Sequence, residues 1–199
     1  MTHQLSLSGL EESGRPTDSL FFAVYPDAAA AAQIAAIGAG LRAAHRLRGR
    51  LFEPERLHVT LFHLGSHAGL PSDVVEAAKS AAGEVRAAPF DVMFDAAESF
   101  RGRPRNRPFV LRGGESLVGL MRFQQCLGDA LRRHGLTRWT TEQYLPHVTM
   151  LYDDRLVAWQ AVGPVRWTVR EFVLMHSLLG QHRHVPLARW PLDLPHTSD

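Results

Sequence analysis

The chain has 199 residues, 45% hydrophobic and 21% charged, with a formal net charge of +2 and one cysteine, Cys126. That is enough chain for a single globular domain with its own core, and too little net charge to argue nucleic-acid binding from charge alone. One cysteine excludes an internal disulfide and a cysteine-based zinc site, which points to a reducing, cytoplasmic setting.

Residues 1–17 are polar, lack the basic start and apolar block of a signal peptide, and read as a disordered lead-in. Ser19–Tyr25 reads as a strand ended by Pro26, and Asp27 as the N-cap of an Ala-rich helix, Ala28–His45. Glu53-Pro54-Glu55 turns the chain into a strand over Leu57–Leu64. After a loop at Gly65–Leu70, Pro71-Ser72-Asp73 starts a second helix that runs to about Ala87. Pro89–Ser99 alternates as a strand with Phe90, Val92 and Phe94 on one face, and Phe109–Arg112 is the next strand. Between them lies a basic loop, Arg101–Pro108. Gly113-Gly114 precedes an amphipathic helix, Ser116–His134, capped by Gly135, in which Cys126 reads as a packing residue. A strand over Tyr144–Tyr152 follows, and Val165–Leu178 with His184–Trp190 reads as a closing strand pair. No apolar run is long enough to cross a bilayer. The order predicts an α+β fold of two similar lobes around a central cleft. One domain then spans residues 18–192, with a tail at 193–199.

Two stretches repeat each other. Leu57-His58-Val59-Thr60-Leu61 is matched by Pro146-His147-Val148-Thr149-Met150, each in a short β-branched and aromatic run. Strand side chains alternate between faces, so His58 shares a face with Thr60, and His147 with Thr149. Val59, Leu61, Val148 and Met150 take the opposite, packed face. Two opposed imidazoles, one neutral and one protonated, can act as general base and general acid near neutral pH. Other histidine pairs, His63/His67 and His182/His184, have chelating spacing without a carboxylate pattern, and no metal or other cofactor is expected.

With these motifs the chain resembles the 2H phosphoesterase superfamily, and within it the bacterial RNA 2′,3′-cyclic phosphodiesterases, often called 2′-5′ RNA ligases. The likeness runs from about Ser19 to Leu192. It includes Leu20-Phe21-Phe22-Ala23-Val24 as an opening strand, Leu64-Gly65 after the first motif, and closing strands at Arg170-Glu171-Phe172-Val173-Leu174 and Arg189-Trp190-Pro191-Leu192. The resemblance implies a bilobal α+β fold, two pseudo-symmetric lobes of antiparallel sheet with helices outside. It also implies metal-independent opening of an RNA 2′,3′-cyclic phosphate to a 2′-phosphomonoester, with reversible 2′-5′ ligation. His58 and His147 would be the catalytic pair, with Thr60 and Thr149 on the phosphate oxygens. The chain departs from the pattern at Phe62-His63 and at Leu151-Tyr152-Asp153-Asp154, where relatives often carry basic residues.

Further candidate substrate contacts are Arg101, Arg103 and Arg105 in the basic loop, which also carries Arg107. Trp139, Tyr152, and one of Phe21 and Phe22 are candidates as well, the other phenylalanine being core. The expected partners are RNA ends or nucleotides bearing 2′,3′-cyclic phosphates or 2′-5′ linkages, met by a monomer without a membrane. A non-catalytic module holding RNA ends in the same cleft is the alternative.

Overall fold

The computed structural model describes residues 15–102, 106–140, 143–181 and 183–193. Its elements in chain order are β1 (Asp18–Val24), α1 (Ala28–Ala44), β2 (Val59–His67), α2 (Ser72–Glu84), β3 (Phe90–Ser99), β4 (Arg107–Arg112), α3 (Val118–Arg133), β5 (His147–Asp153), β6 (Gln160–Val169), β7 (Glu171–Leu178) and β8 (Arg183–Pro191). The eight strands form one antiparallel sheet in the order β6-β3-β4-β5-β2-β1-β7-β8. The fold is α+β.

The sheet is two half-sheets of the same design joined along β2 and β5. In one half the chain runs β1–α1–β2, and in the other β4–α3–β5. A short 3-10 turn precedes each motif strand, at Pro54–Arg56 and at Thr137–Trp139. Each helix reaches across to the motif strand of the other half, α3 while also packing on β3 of its own half. α1 lies on β5, where a Cβ on Gly38 would come 3.4 Å from the sulfur of Met150. α3 lies on β2, where a Cβ on Gly128 would come 2.9 Å from the Phe62 ring. Glycine inside a helix costs about 1 kcal/mol of propensity, and here it lets the helices close on the motif strands.

Local chemistry explains most boundaries. Asp27 caps α1 by accepting a hydrogen bond from the backbone N–H of Ala30 at 2.8 Å. Gly135, at φ 78°, takes the left-handed conformation that ends α3. Beneath the helices Phe22, Phe94, Phe109 and Phe172 are fully buried, each the kind of side chain whose truncation costs about 3–5 kcal/mol.

Four expectations need correction. Val165–Leu178 is not one strand but parts of β6 and β7, which belong to different halves. β6 pairs with β3, while β7 pairs with β1 and β8. The turn at Arg170 carries no Gly, Pro or Asn, so only the change of phase betrays it. Val165, Trp167 and Val169 face the main core before it, Phe172 and Leu174 after it. The second helix ends at Glu84 instead of Ala87, with Arg86 donating from its guanidinium to the carbonyl of Gly83 at 2.7 Å. The strand of the first motif continues past Leu64 to His67. Cys126 is exposed on α3 and is not part of the core. The lead-in before residue 15, and the tail from residue 194, lie outside the described residues.

Candidate active site

The two halves meet at one register pair, Val59 opposite Val148. In an antiparallel pair that register sets His58 beside Thr149 and Thr60 beside His147, so each imidazole faces the hydroxyl of the other motif. Just past the threonines both strands carry a bulge. The β1–β2 register slips at Leu61, between Phe22↔Phe62 and Ala23↔Thr60. The β4–β5 register slips at Met150, between Phe109↔Leu151 and Val110↔Thr149. A bulge bends and twists its strand, so the half-sheets diverge from the seam and leave a cleft. It also turns two successive residues to the core, Leu61 and Phe62 in one half, Met150 and Leu151 in the other.

Both imidazoles are fixed in the same way. His58 Nδ1 is 2.7 Å from the carbonyl oxygen of Arg56, and His147 Nδ1 is 2.8 Å from that of Leu145, two residues upstream in each case. A carbonyl only accepts, so Nδ1 carries the proton in both rings. Nε2 is then the nitrogen available to a substrate, in the same tautomer on both sides of the seam.

The surroundings hold the rings neutral. His58 stacks on Phe21 with centroids 5.0 Å apart, and lies 5.7 Å from both Tyr25 and His184. Burial in this aromatic setting pushes its pKa down to about 4; His184, His147 and Arg56 push the same way, against the Arg56 carbonyl. His147 meets the edge of Phe100 at 4.9 Å and is also lowered, by burial first and by the charge of Arg112 after it. His184 is lowered by burial and by Arg56.

The pseudo-twofold relation breaks at the strands beside the motifs. Arg112 is the cross-strand neighbour of His147. The equivalent place beside His58 is taken by Tyr25, one step past the Val24↔Val59 pair. Burial raises the Tyr25 phenol to about 12, so it stays protonated, and its Oη has no hydrogen-bond partner among the described residues. Neither residue is conspicuous in the sequence. Overlaying Phe22-Ala23-Val24-Tyr25 on Phe109-Val110-Leu111-Arg112 by distance to the motifs would have found both.

The other candidates fall as follows. Phe22 is fully buried and takes the core place, while Phe21 is on the cleft face with its ring covered by His58 and His184. Phe21 therefore supports His58 and offers no free face to a base. Trp139 lines a groove of about 460 Å³ with Thr60, His63, Tyr144 and His147, and Arg138 lies 3.8 Å over its ring. Tyr152 is partly exposed beside Phe52, at the position equivalent to His63. Asp153 is buried and accepts from the backbone N–H groups of Arg48, Gly49 and Arg155, so it ties two loops together and presents no charge to the cleft. Arg101 is exposed just beyond Phe100, whereas Arg103 and Arg105 lie outside the described residues, as does His182. Among the described residues no three His, Cys, Asp or Glu side chains are grouped to hold a metal ion.

A family model of the 2′-5′ RNA ligase superfamily matches residues 25–181. The chain belongs to that superfamily. This membership makes it an enzyme of the phosphoesterase and RNA ligase type. A solved structure described as a phosphoesterase is 28% identical, with a TM-score of 0.71 over 89% of this chain and 99% of its own. E. coli LigT complexed with 3′-AMP is 27% identical, with a TM-score of 0.71 over 90% of this chain and all of LigT. LigT is also known in complexes with phosphate, ATP and NADP+. TT0787 of Thermus thermophilus, at 21% identity and a TM-score of 0.68, shares the fold. No curated protein matches the chain in sequence. No described helix of this superfamily member is long and apolar enough to cross a membrane.

Proposed function

We propose that the chain opens RNA 2′,3′-cyclic phosphates to 2′-phosphomonoesters by metal-independent acid–base catalysis between His58 and His147. One observation carries the reading. The two imidazoles occupy equivalent places at the seam, each with Nδ1 on a backbone carbonyl so that Nε2 is left for a substrate, and the register puts the threonine of the other motif beside each. That is the arrangement an in-line displacement at phosphorus needs. One Nε2 takes a proton from the attacking water as the new P–O bond forms. The other imidazole, as imidazolium, delivers its Nε2 proton to the ribose 3′-oxygen as the P–O3′ bond breaks. Each transfer is worth about 10²–10⁴-fold. Thr60 and Thr149 hydrogen-bond the non-bridging oxygens as charge builds on them. With a 5′-hydroxyl end in place of water the same groups serve the synthesis of a 2′-5′ linkage. The LigT complexes with 3′-AMP and phosphate support a nucleotide-end substrate for a protein of this shape.

The test is steady-state turnover of a short RNA ending in a 2′,3′-cyclic phosphate, in the presence of a chelator, with the product identified as the 2′- or 3′-monoester. Accumulation of the 2′-monoester is the expected result. Tight binding without turnover would make the protein a holder of RNA ends instead, and loss of activity on chelation would end the two-histidine mechanism.

A further inference from the structure

The motif residues supply at most the one proton that the reacting pair carries, and that proton leaves with the 3′-oxygen. His58 and His147 are both held towards the neutral form, and the two threonines are neutral. A phosphodiester is anionic, and its transition state gathers more negative charge on the non-bridging oxygens, so a cation must stand close by. Two arginines are near enough to shift the motif histidines. Arg56 lies over the Phe52 ring at 4.6 Å, and its field reaches His58, His184, Tyr25 and Tyr152. Arg112 has the better placement. It shares the cleft face with His147 as its cross-strand partner, and the register at the seam puts Thr60 on the far side of that same imidazole.

The Arg112 side chain is also prepared for an anion. Glu98, on β3, takes one arm of the guanidinium through Nη1, and Phe100 lies beneath the group at 5.8 Å. Its Nε is buried and has no hydrogen-bond partner among the described residues, as is also true of Arg56, so the place beside His147 and the Glu98 pairing are what single out Arg112. An unsatisfied buried donor on a charged group is costly unless an acceptor arrives. A planar guanidinium already fixed on one edge presents the rest of its donors in a set direction.

We propose that Arg112 is the phosphate-binding cation of this site, its guanidinium taking a non-bridging oxygen of the phosphate held between His147 and Thr60. This rests on the function proposed above for the site. The phosphate then sits off-centre, towards the Arg112 half. At the equivalent place in the other half Tyr25 offers only a neutral phenol. Glu98 offsets part of the guanidinium's charge through its ion pair, so it tempers the attraction for an anion.

The test is calorimetric binding of inorganic phosphate to the full chain and to R112Q, R112K, E98Q and R56Q, with thermal melts, alongside turnover of the cyclic-phosphate RNA. R112Q is expected to bind phosphate at least about tenfold more weakly, the effect of a charge-assisted hydrogen bond. R112K should fall between R112Q and wild type, E98Q should bind phosphate more tightly, and R56Q should lose less than R112Q. In turnover, R112Q should raise KM and lower kcat together. Wild-type phosphate affinity in a folded R112Q, or a larger loss in R56Q, overturns the assignment. If R112Q does not fold, R112K and E98Q decide it, and phosphate affinity unchanged in both overturns it. A wild-type chain that binds phosphate through Arg112 yet turns over no cyclic phosphate would refute the reaction and keep the anion site. Normal turnover in R112Q would do the reverse.

Discussion

Val59 pairs with Val148 across the seam between the two half-sheets, and both are fully buried. This contact fixes the distance and direction between two motifs far apart in the chain. His58 and Thr60 stand one step to either side of Val59, as His147 and Thr149 do of Val148. A slip of one residue in either strand would turn that strand's histidine and threonine towards the core. The register is held by the apolar faces that α1 and α3 cover, so packing and catalysis depend on the same pair.

Removing either imidazole should cut turnover without unfolding the protein. His58→Ala and His147→Ala are each expected to lower kcat by about 10²–10⁴-fold with native circular dichroism. Because the two act as a unit, the double variant should lose little beyond the worse single one. A single variant that keeps near wild-type turnover removes that histidine from the mechanism.

The threonines should matter less. Thr60→Val and Thr149→Val each delete one neutral hydrogen bond, worth about 0.5–1.5 kcal/mol, or roughly two- to tenfold in kcat/KM. Losses as large as those of the histidine variants would give the hydroxyls a part beyond holding phosphate oxygens.

The repeated motif made the centre of the site readable, because strand alternation alone puts His58 with Thr60 and His147 with Thr149. The bulges were not read from the sequence, although two apolar residues follow each threonine, Leu61-Phe62 and Met150-Leu151, where alternation asks for one. Tyr25 and Arg112 were not read either, since their meaning comes from strand pairing, and pairing between distant segments leaves no local mark. His184 was missed as a neighbour of His58 for the same reason. The passage from β6 to β7 was hidden because Arg170 turns the chain without a turn residue. Asp153 stands in the stretch where relatives often carry a basic residue, and its burial against three backbone N–H groups removes it from the cleft.

Those N–H groups give a stability prediction. A Cβ on Gly49 would lie 2.0 Å from the carbonyl oxygen of Tyr152, a backbone atom that cannot swing aside. Gly49→Ala must therefore push apart the loops that Asp153 joins, where the Gly49 N–H is 2.8 Å from its carboxylate. We expect a loss of about 1–3 kcal/mol in chemical denaturation. The Tyr152 strand end should shift, while the histidines at the seam stay in register. An unchanged midpoint would show that the loops are not held as described.

The pH dependence follows from burial of both imidazoles. The ordinary value for the group is 6.5; His58 is pushed down to about 4 in the free protein, and His147 is lowered as well. The kcat/KM profile reports the free enzyme, and the reacting form has one ring neutral and one protonated. That singly protonated form is most abundant between the two apparent values, which belong to the coupled pair. The optimum of kcat/KM should therefore lie below pH 6.5, with activity falling as pH rises through neutrality. Stability should change in the opposite sense over the acid range. Below about 6.5 the unfolded chain takes up a proton that folded His58 refuses, so stability is retained above that value and declines as pH falls towards 4. Proton NMR of the ring resonances checks the premise directly. His58 should show no midpoint near 6.5, and inorganic phosphate should move it upward by placing negative charge beside the ring. A His58 midpoint at its ordinary value, or an alkaline optimum for kcat/KM, would sink this account of the site's protonation.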